Sequence, residues 1–170
     1  MRFGLCCISL DLQELEQPLR FQTMTFKRFS QLDRSEALST LGSRILNNME
    51  VTNATILHCA EHDYCYRVSS DLFPLITYRA ANITLSDLPQ YSDILQAIDN
   101  IAYTIQQHNV RISCHPSEFN VLASTNTDAV DRTVTELNFY SNFLDMIGCP
   151  ADYNSPMNLS LIHISEPTRL

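Results

Sequence analysis

The sequence predicts an α/β fold with a parallel sheet, organised as about three and a half βα units. Three observations carry that prediction. Short apolar segments alternate with long segments of helical period, the short ones are rich in aromatic and β-branched residues, and Gly, Pro or Asn stands where each helical pattern stops.

Arg2 to Ser9 is short, apolar and closed by polar residues, as expected of a strand buried on both faces. Arg20 to Phe29 follows as a loop or a short helix entry, and its Arg20, Lys27 and Arg28 read as a solvated basic face or as phosphate contacts. From Ser35 the period is helical, with Leu38, Leu41, Ile45 and Met49 continued by Thr52, Ile56 and Cys59. Tyr64 to Ser70 reads as the second strand. After Pro89, Ile94, Ile98, Ile101 and Ile105 mark one helix face, and His108-Asn109 supplies its end.

Val110 to Cys114 is the third strand and runs into His115-Pro116; a proline cannot extend a central strand, so His115 falls at the strand's C-terminal end. A third long helix carries Val130, Val134, Leu137, Leu144 and Ile147, with Gly148 and Pro150 as its stop. Pro156 to Leu159 opens a fourth strand. A closed eight-stranded barrel takes roughly 250 residues, and an open flavodoxin-like sheet about five strands. Either architecture would be incomplete here.

Three glycines are too few for a phosphate-cradling loop or dinucleotide fingerprint, which excludes those nucleotide-binding classes. A net charge of -8 opposes a simple electrostatic grip on nucleic acid, although metal-binding nuclease sites concentrate carboxylates whose charge bound ions offset. The six cysteines lack a secretory leader and a Cys-x-x-Cys pair, so reduced, buried thiols are expected. No apolar stretch reaches membrane-spanning length, and a cytoplasmic protein with no membrane contact and no obligate protein partner is expected.

In parallel α/β folds of the barrel type, reactive groups sit just after the strands. Ser9, the pair Ser69-Ser70, and His115 occupy those positions. His115 reads either as a divalent-metal ligand, its backbone fixed by Pro116, or as a hydrogen-bonded structural histidine. His58 and His62, four apart, share a helical face, but Glu61 is misplaced for a His-Glu-x-x-His site and the segment reads as a solvated helix terminus. Phe119, in the loop after His115, either folds back on the core or stands out as a wedge against a base step. Arg67 and Arg111 are expected to make internal ion pairs or reach a rim, and Asp93, Asp99, Asp131 and Glu136 to be helix-surface charges away from the strand ends.

Several segments, in order, resemble the UV-damage endonucleases: Arg2 to Cys7, Thr25 to Phe29, Tyr66 to Leu75 with its Arg-x-Ser-Ser-x-x-x-Pro element, and Arg111 to Pro116 with Arg-x-Ser-x-His-Pro, continuing to Phe119, Leu122 and Ser124. The resemblance covers residues 1 to about 159 and implies a partial TIM barrel comprising its first units. It further implies metal-assisted incision of the DNA backbone on the 5' side of UV photoproducts, with divalent ions, manganese being the usual assignment, and damaged double-stranded DNA as partner. His115 matches a family metal ligand, Glu118 and Phe119 match the lesion-probing pair, and Ser9, Ser69 and Ser70 become candidate DNA contacts. The sequence departs from the family at Tyr78, where a histidine of the active site is usual, and at Glu118 and Phe119, where the family generally has Gln and Tyr.

Residues 159 to 169, LSLIHISEPTR, coincide with the translation of a transposase sequencing-library adapter. The expected division is therefore 1-159 as the N-terminal part of the endonuclease domain and 160-170 as a non-native tail, with a family histidine due just after Leu159 and the fragment itself inactive. His115 would serve equally well in another metal-dependent barrel, such as an apurinic-site endonuclease or a sugar isomerase. A non-catalytic βα scaffold is the reading from a different class.

Overall fold

The computed structural model describes residues 3-117 and 119-159. Strand β1 (Gly4–Cys6) leads into a one-turn helix, α1 (Leu10–Gln13), and a second short helix, α2 (Phe26–Ser30). The long helix α3 (Arg34–Glu61) returns the chain to β2 (Cys65–Val68); α4 (Tyr91–His108), β3 (Ile112–Cys114) and α5 (Thr127–Met146) follow. Three 3-10 turns, Ser70–Leu72, Arg79–Ala81 and Leu85–Asp87, fill the connection between β2 and α4. Among the described residues no helix is long and apolar enough to cross a membrane.

The strands are parallel in the order β1-β2-β3, and an isolated parallel bridge from Cys114 to Met157 places the next segment beside β3. Each strand thus lies next to its predecessor, unlike the flavodoxin-like order, in which the second strand sits outside the first. The fourth strand expected from Pro156 is present as this single bridge. Arg111 holds it there: its guanidinium donates to the Tyr153 and Asn154 carbonyls at 2.6 and 3.0 Å.

One face of the sheet carries the core. Tyr66, Val68, Ile112 and Cys114 are fully buried against Leu41, Ile45, Met49 and Ile56 of α3 and Ile94, Ile98 and Ile101 of α4. The four-residue spacing on α3 and the Ile spacing on α4 keep these side chains on one stripe, which is why the periodicity translates into helices packed on one side. Asn109 ends α4 in the left-handed conformation (φ 51°), and Gly148 (φ 72°) follows α5 in the same region, where a Cβ would be strained. The opposite face presents the paired row Cys6, Arg67 and Ser113, none of them buried. The first strand is therefore not buried on both faces, because no described element covers that side and β1 forms the sheet's edge.

All six cysteines are free thiols; Cys59, Cys114 and Cys149 are buried as expected, whereas Cys6 is exposed on the uncovered face. Burial, reinforced by Cys65, pushes the Cys59 thiol from 9.0 up to about 11, and burial with Glu136 nearby pushes Cys114 from 9.0 up to about 12. Tyr66 and Tyr140 move in the same direction, chiefly through burial. An acid whose folded pKa is raised stabilises the fold fully below its unfolded pKa, and that contribution disappears as pH climbs through the folded value. Urea midpoints should accordingly hold up to pH 9.0 and decline between about 9 and 12. A flat profile across that window would contradict the burial of these groups.

Candidate functional site

The C-terminal ends of the three parallel strands gather one set of loops. After β1, Cys7 turns sharply (φ 65°), its N–H donating to the Arg67 carbonyl at 2.9 Å, and its carbonyl accepts from the Tyr66 hydroxyl at 3.1 Å. Ser9, 5% exposed, caps α1 by accepting from the Leu12 N–H. After β2, the buried Ser69 accepts from the Asp71 N–H at 3.2 Å. Ser70 is exposed, and its carbonyl accepts from the Tyr140 hydroxyl at 2.9 Å. Two of the three candidate serines are buried and accept local backbone N–H groups, and Ser70 is the one open to solvent.

His115 follows β3 directly and is partly buried. Its Nδ1 lies 2.7 Å from the Pro116 carbonyl oxygen. A carbonyl only accepts, so Nδ1 carries the proton and Nε2 of the neutral ring keeps its lone pair. A ring nitrogen held by a backbone carbonyl is the arrangement that orients metal-binding imidazoles, so the residue fits a divalent-ion ligand. Arg67, one strand over, has its Nε buried without a hydrogen-bond partner among the described residues.

The loop beyond His115 is braced against α5 at two points. Glu136 accepts from the Ser117 N–H at 2.7 Å, and the Thr133 hydroxyl accepts from the Val121 N–H at 2.9 Å. Asn120, buried, closes the turn by donating to the Ser117 carbonyl at 2.9 Å. Phe119 stands between these braces, 82% exposed, so the ring does not fold back on the core. Glu118 lies outside the described residues, as do residues 160-170 of the expected non-native tail. Glu136 corrects the expectation of a helix-surface charge: it reaches the strand-end loop, because α5 packs over it with Phe139 and Phe143 set edge-on to Phe73 of the connection after β2, at 4.9 and 5.0 Å.

Tyr78, 48% exposed, packs against Phe26 at 5.1 Å and lines a groove of about 830 Å³ together with Arg34, Arg79, Asp131 and Arg132. Arg34 donates to the Ala81 and Asn82 carbonyls at 3.2 and 3.0 Å and so supports the groove's floor. Arg79 and Arg132 lie far apart in the sequence, and only the packing of α5 beside the 3-10 turns brings them to one groove. They share the groove with Asp87 and Asp131, so its charge is mixed, with three arginines against two carboxylates.

Comparison with known proteins gives a consistent picture. The family described as UV-endonuclease UvdE matches residues 1–166. A UV DNA damage endonuclease of Nostoc sp. is 30% identical over 173 residues, covering 98% of this chain and 48% of the relative. One of Deinococcus radiodurans is 26% identical over 164 residues, covering 95% of this chain and 50% of the relative. The chain therefore spans about half the length of these curated relatives. A solved structure titled "Crystal Structure of SacUVDE" superposes with a TM-score of 0.68 at 21% identity, over 88% of this chain and 46% of that one, which shows a shared fold.

Proposed function

The chain belongs to the UV-endonuclease UvdE family, and from that premise we propose that it supplies the first βα units of a TIM-barrel enzyme that incises DNA 5' to UV photoproducts. The observation that carries this reading is His115, set immediately after β3 with Nδ1 committed to a backbone carbonyl and Nε2 left to bind. The consecutive strand order and the uncovered face with Cys6, Arg67 and Ser113 fit one sector of such a barrel, its interior row facing strands that lie elsewhere.

Divalent ions, with manganese as the first choice, would supply charge neutralisation at the phosphate and a nucleophilic water. His115 would hold one of them. Phe119, on its braced loop, enters the duplex at the lesion, where a damaged step costs less to unstack. Glu118 is proposed as its neighbour in lesion probing. Ser70, Arg79 and Arg132 contact the backbone, while Ser9 and Ser69 hold the strand-end loops in shape. The family resemblance implies a histidine at the place of Tyr78, and on that reading an imidazole's share of the chemistry is not supplied from this position.

The experiment joins residues 1-158 to the second half of the Nostoc relative and measures manganese-dependent nicking of irradiated and undamaged duplexes. The reading expects nicking of the irradiated duplex by the chimera and none by the 170-residue chain alone. A folded chimera that binds metal but nicks both duplexes equally would favour another metal-dependent barrel. Phe119→Ala in the same chimera is expected to leave stability within about 0.5 kcal/mol, as for an exposed side chain, while lowering the preference for irradiated DNA at least ~10-fold through lost wedging and stacking. Unchanged preference would remove Phe119 from lesion recognition.

A further inference from the structure

At the other end of the sheet, where α3 finishes just before β2 begins, a second cluster of ligating groups is assembled. His58 and His62 stand one helical turn apart, their ring centroids 4.3 Å from each other, and one ligand atom each from His58, Glu61 and His62 lies within 4.8 Å of the others. Around a tetrahedral zinc, neighbouring N and O donors sit roughly 3.3 Å apart, so the three groups would draw together on binding an ion. His62 Nδ1 lies 2.8 Å from the His58 carbonyl and therefore donates to it, which fixes the ring and leaves Nε2 with its lone pair. The His62 ring also stacks on Tyr64 at 5.5 Å. Asp11, on the connection after β1, brings a further carboxylate to within 3.5 Å of His58 Nε2. Two carboxylates and the negative end of a 28-residue helix make this corner attractive to a cation.

We infer that His58, Glu61 and His62 form a binding site for a borderline divalent ion of the zinc class, separate from the strand-end site of His115. Two imidazoles with one carboxylate suit zinc, cobalt or nickel better than magnesium or calcium. The placement indicates a structural role: the ion clamps the last turn of α3, whose His62 ring stacks on Tyr64 just before β2.

The test is a zinc titration of the 170-residue chain against a chromogenic chelator, with cobalt absorption to report the coordination sphere. One equivalent is expected to bind to the wild type. His62→Gln, at an exposed position, should weaken that equivalent at least ~10-fold and abolish the zinc-induced rise in Tm. Glu61→Gln, also exposed, provides a second variant should His62→Gln fold poorly, and His115→Ala should leave the equivalent intact. Equal zinc affinity in wild type, His62→Gln and Glu61→Gln, or its loss in His115→Ala alone, would overturn the assignment.

Discussion

Replacing Asn48 by alanine is expected to destabilise the fold by about 3 kcal/mol, because the change removes at once the side-chain partner of four backbone groups, three of them part-buried and one, the Leu72 carbonyl, buried. Asn48 sits at the middle of α3 with no solvent exposure. Its Oδ1 accepts from the Gln22 N–H at 2.7 Å, and the two hydrogens of its Nδ2 serve three carbonyls, those of Gln22, Asp71 and Leu72 at 3.0, 2.9 and 3.3 Å, one hydrogen being shared. One side chain thereby joins the strap before α2, the long helix and the turn after β2. Asn48→Asp should be worse than alanine, since a carboxylate cannot donate and would face three carbonyl oxygens in a dry site. Urea unfolding of both variants checks the prediction, and a shift below about 0.5 kcal/mol for the alanine variant would show that water replaces the amide. The turn it holds begins beside Ser69 and Ser70, so the loss would also loosen the strand-end loops.

The second large effect falls on His115. In the Nostoc chimera, His115→Ala is expected to reduce nicking of irradiated DNA at least ~100-fold at fixed manganese, because on the proposed reading it removes a ligand of an ion acting on the phosphate. Stability should change little, since the ring is partly exposed and its recorded hydrogen bond is to the adjacent residue's carbonyl. Raising manganese should recover part of the rate if the ion is merely bound more weakly. Loss of rate with loss of folding would point instead to a structural histidine.

Helix α4 was legible because Ile94, Ile98, Ile101 and Ile105 place one stripe, and Asn109 and Gly148 act at helix ends through positive φ. Helix α5 was legible as a helix but not in its face, since the expected Val134 is exposed while Thr133, Tyr140 and Phe143 are buried. The strands were legible in place but too long in extent. Residues flanking Gly4–Cys6 and Ile112–Cys114 share the composition of the strands, yet pairing stops where Cys7 turns left-handed and where Pro116 lacks an N–H. His115 could be found from its position after a strand. Glu136 could not, because a lone carboxylate on an amphipathic helix has the same sequence appearance whether it meets water or the Ser117 N–H. Arg79 and Arg132 were equally hidden, their nearness being a product of tertiary packing. Asn48 left a faint signal, a polar residue beside Met49 on the buried side of a helix, where an unpaired amide would be costly.

The most direct test is pulsed electron paramagnetic resonance of the manganese-loaded chimera, which detects imidazole nitrogen coupled to the ion. The account predicts a nitrogen coupling that weakens in His115→Ala and is unchanged in His62→Gln. A spectrum identical in wild type and His115→Ala would contradict the placement of the ion at the end of β3.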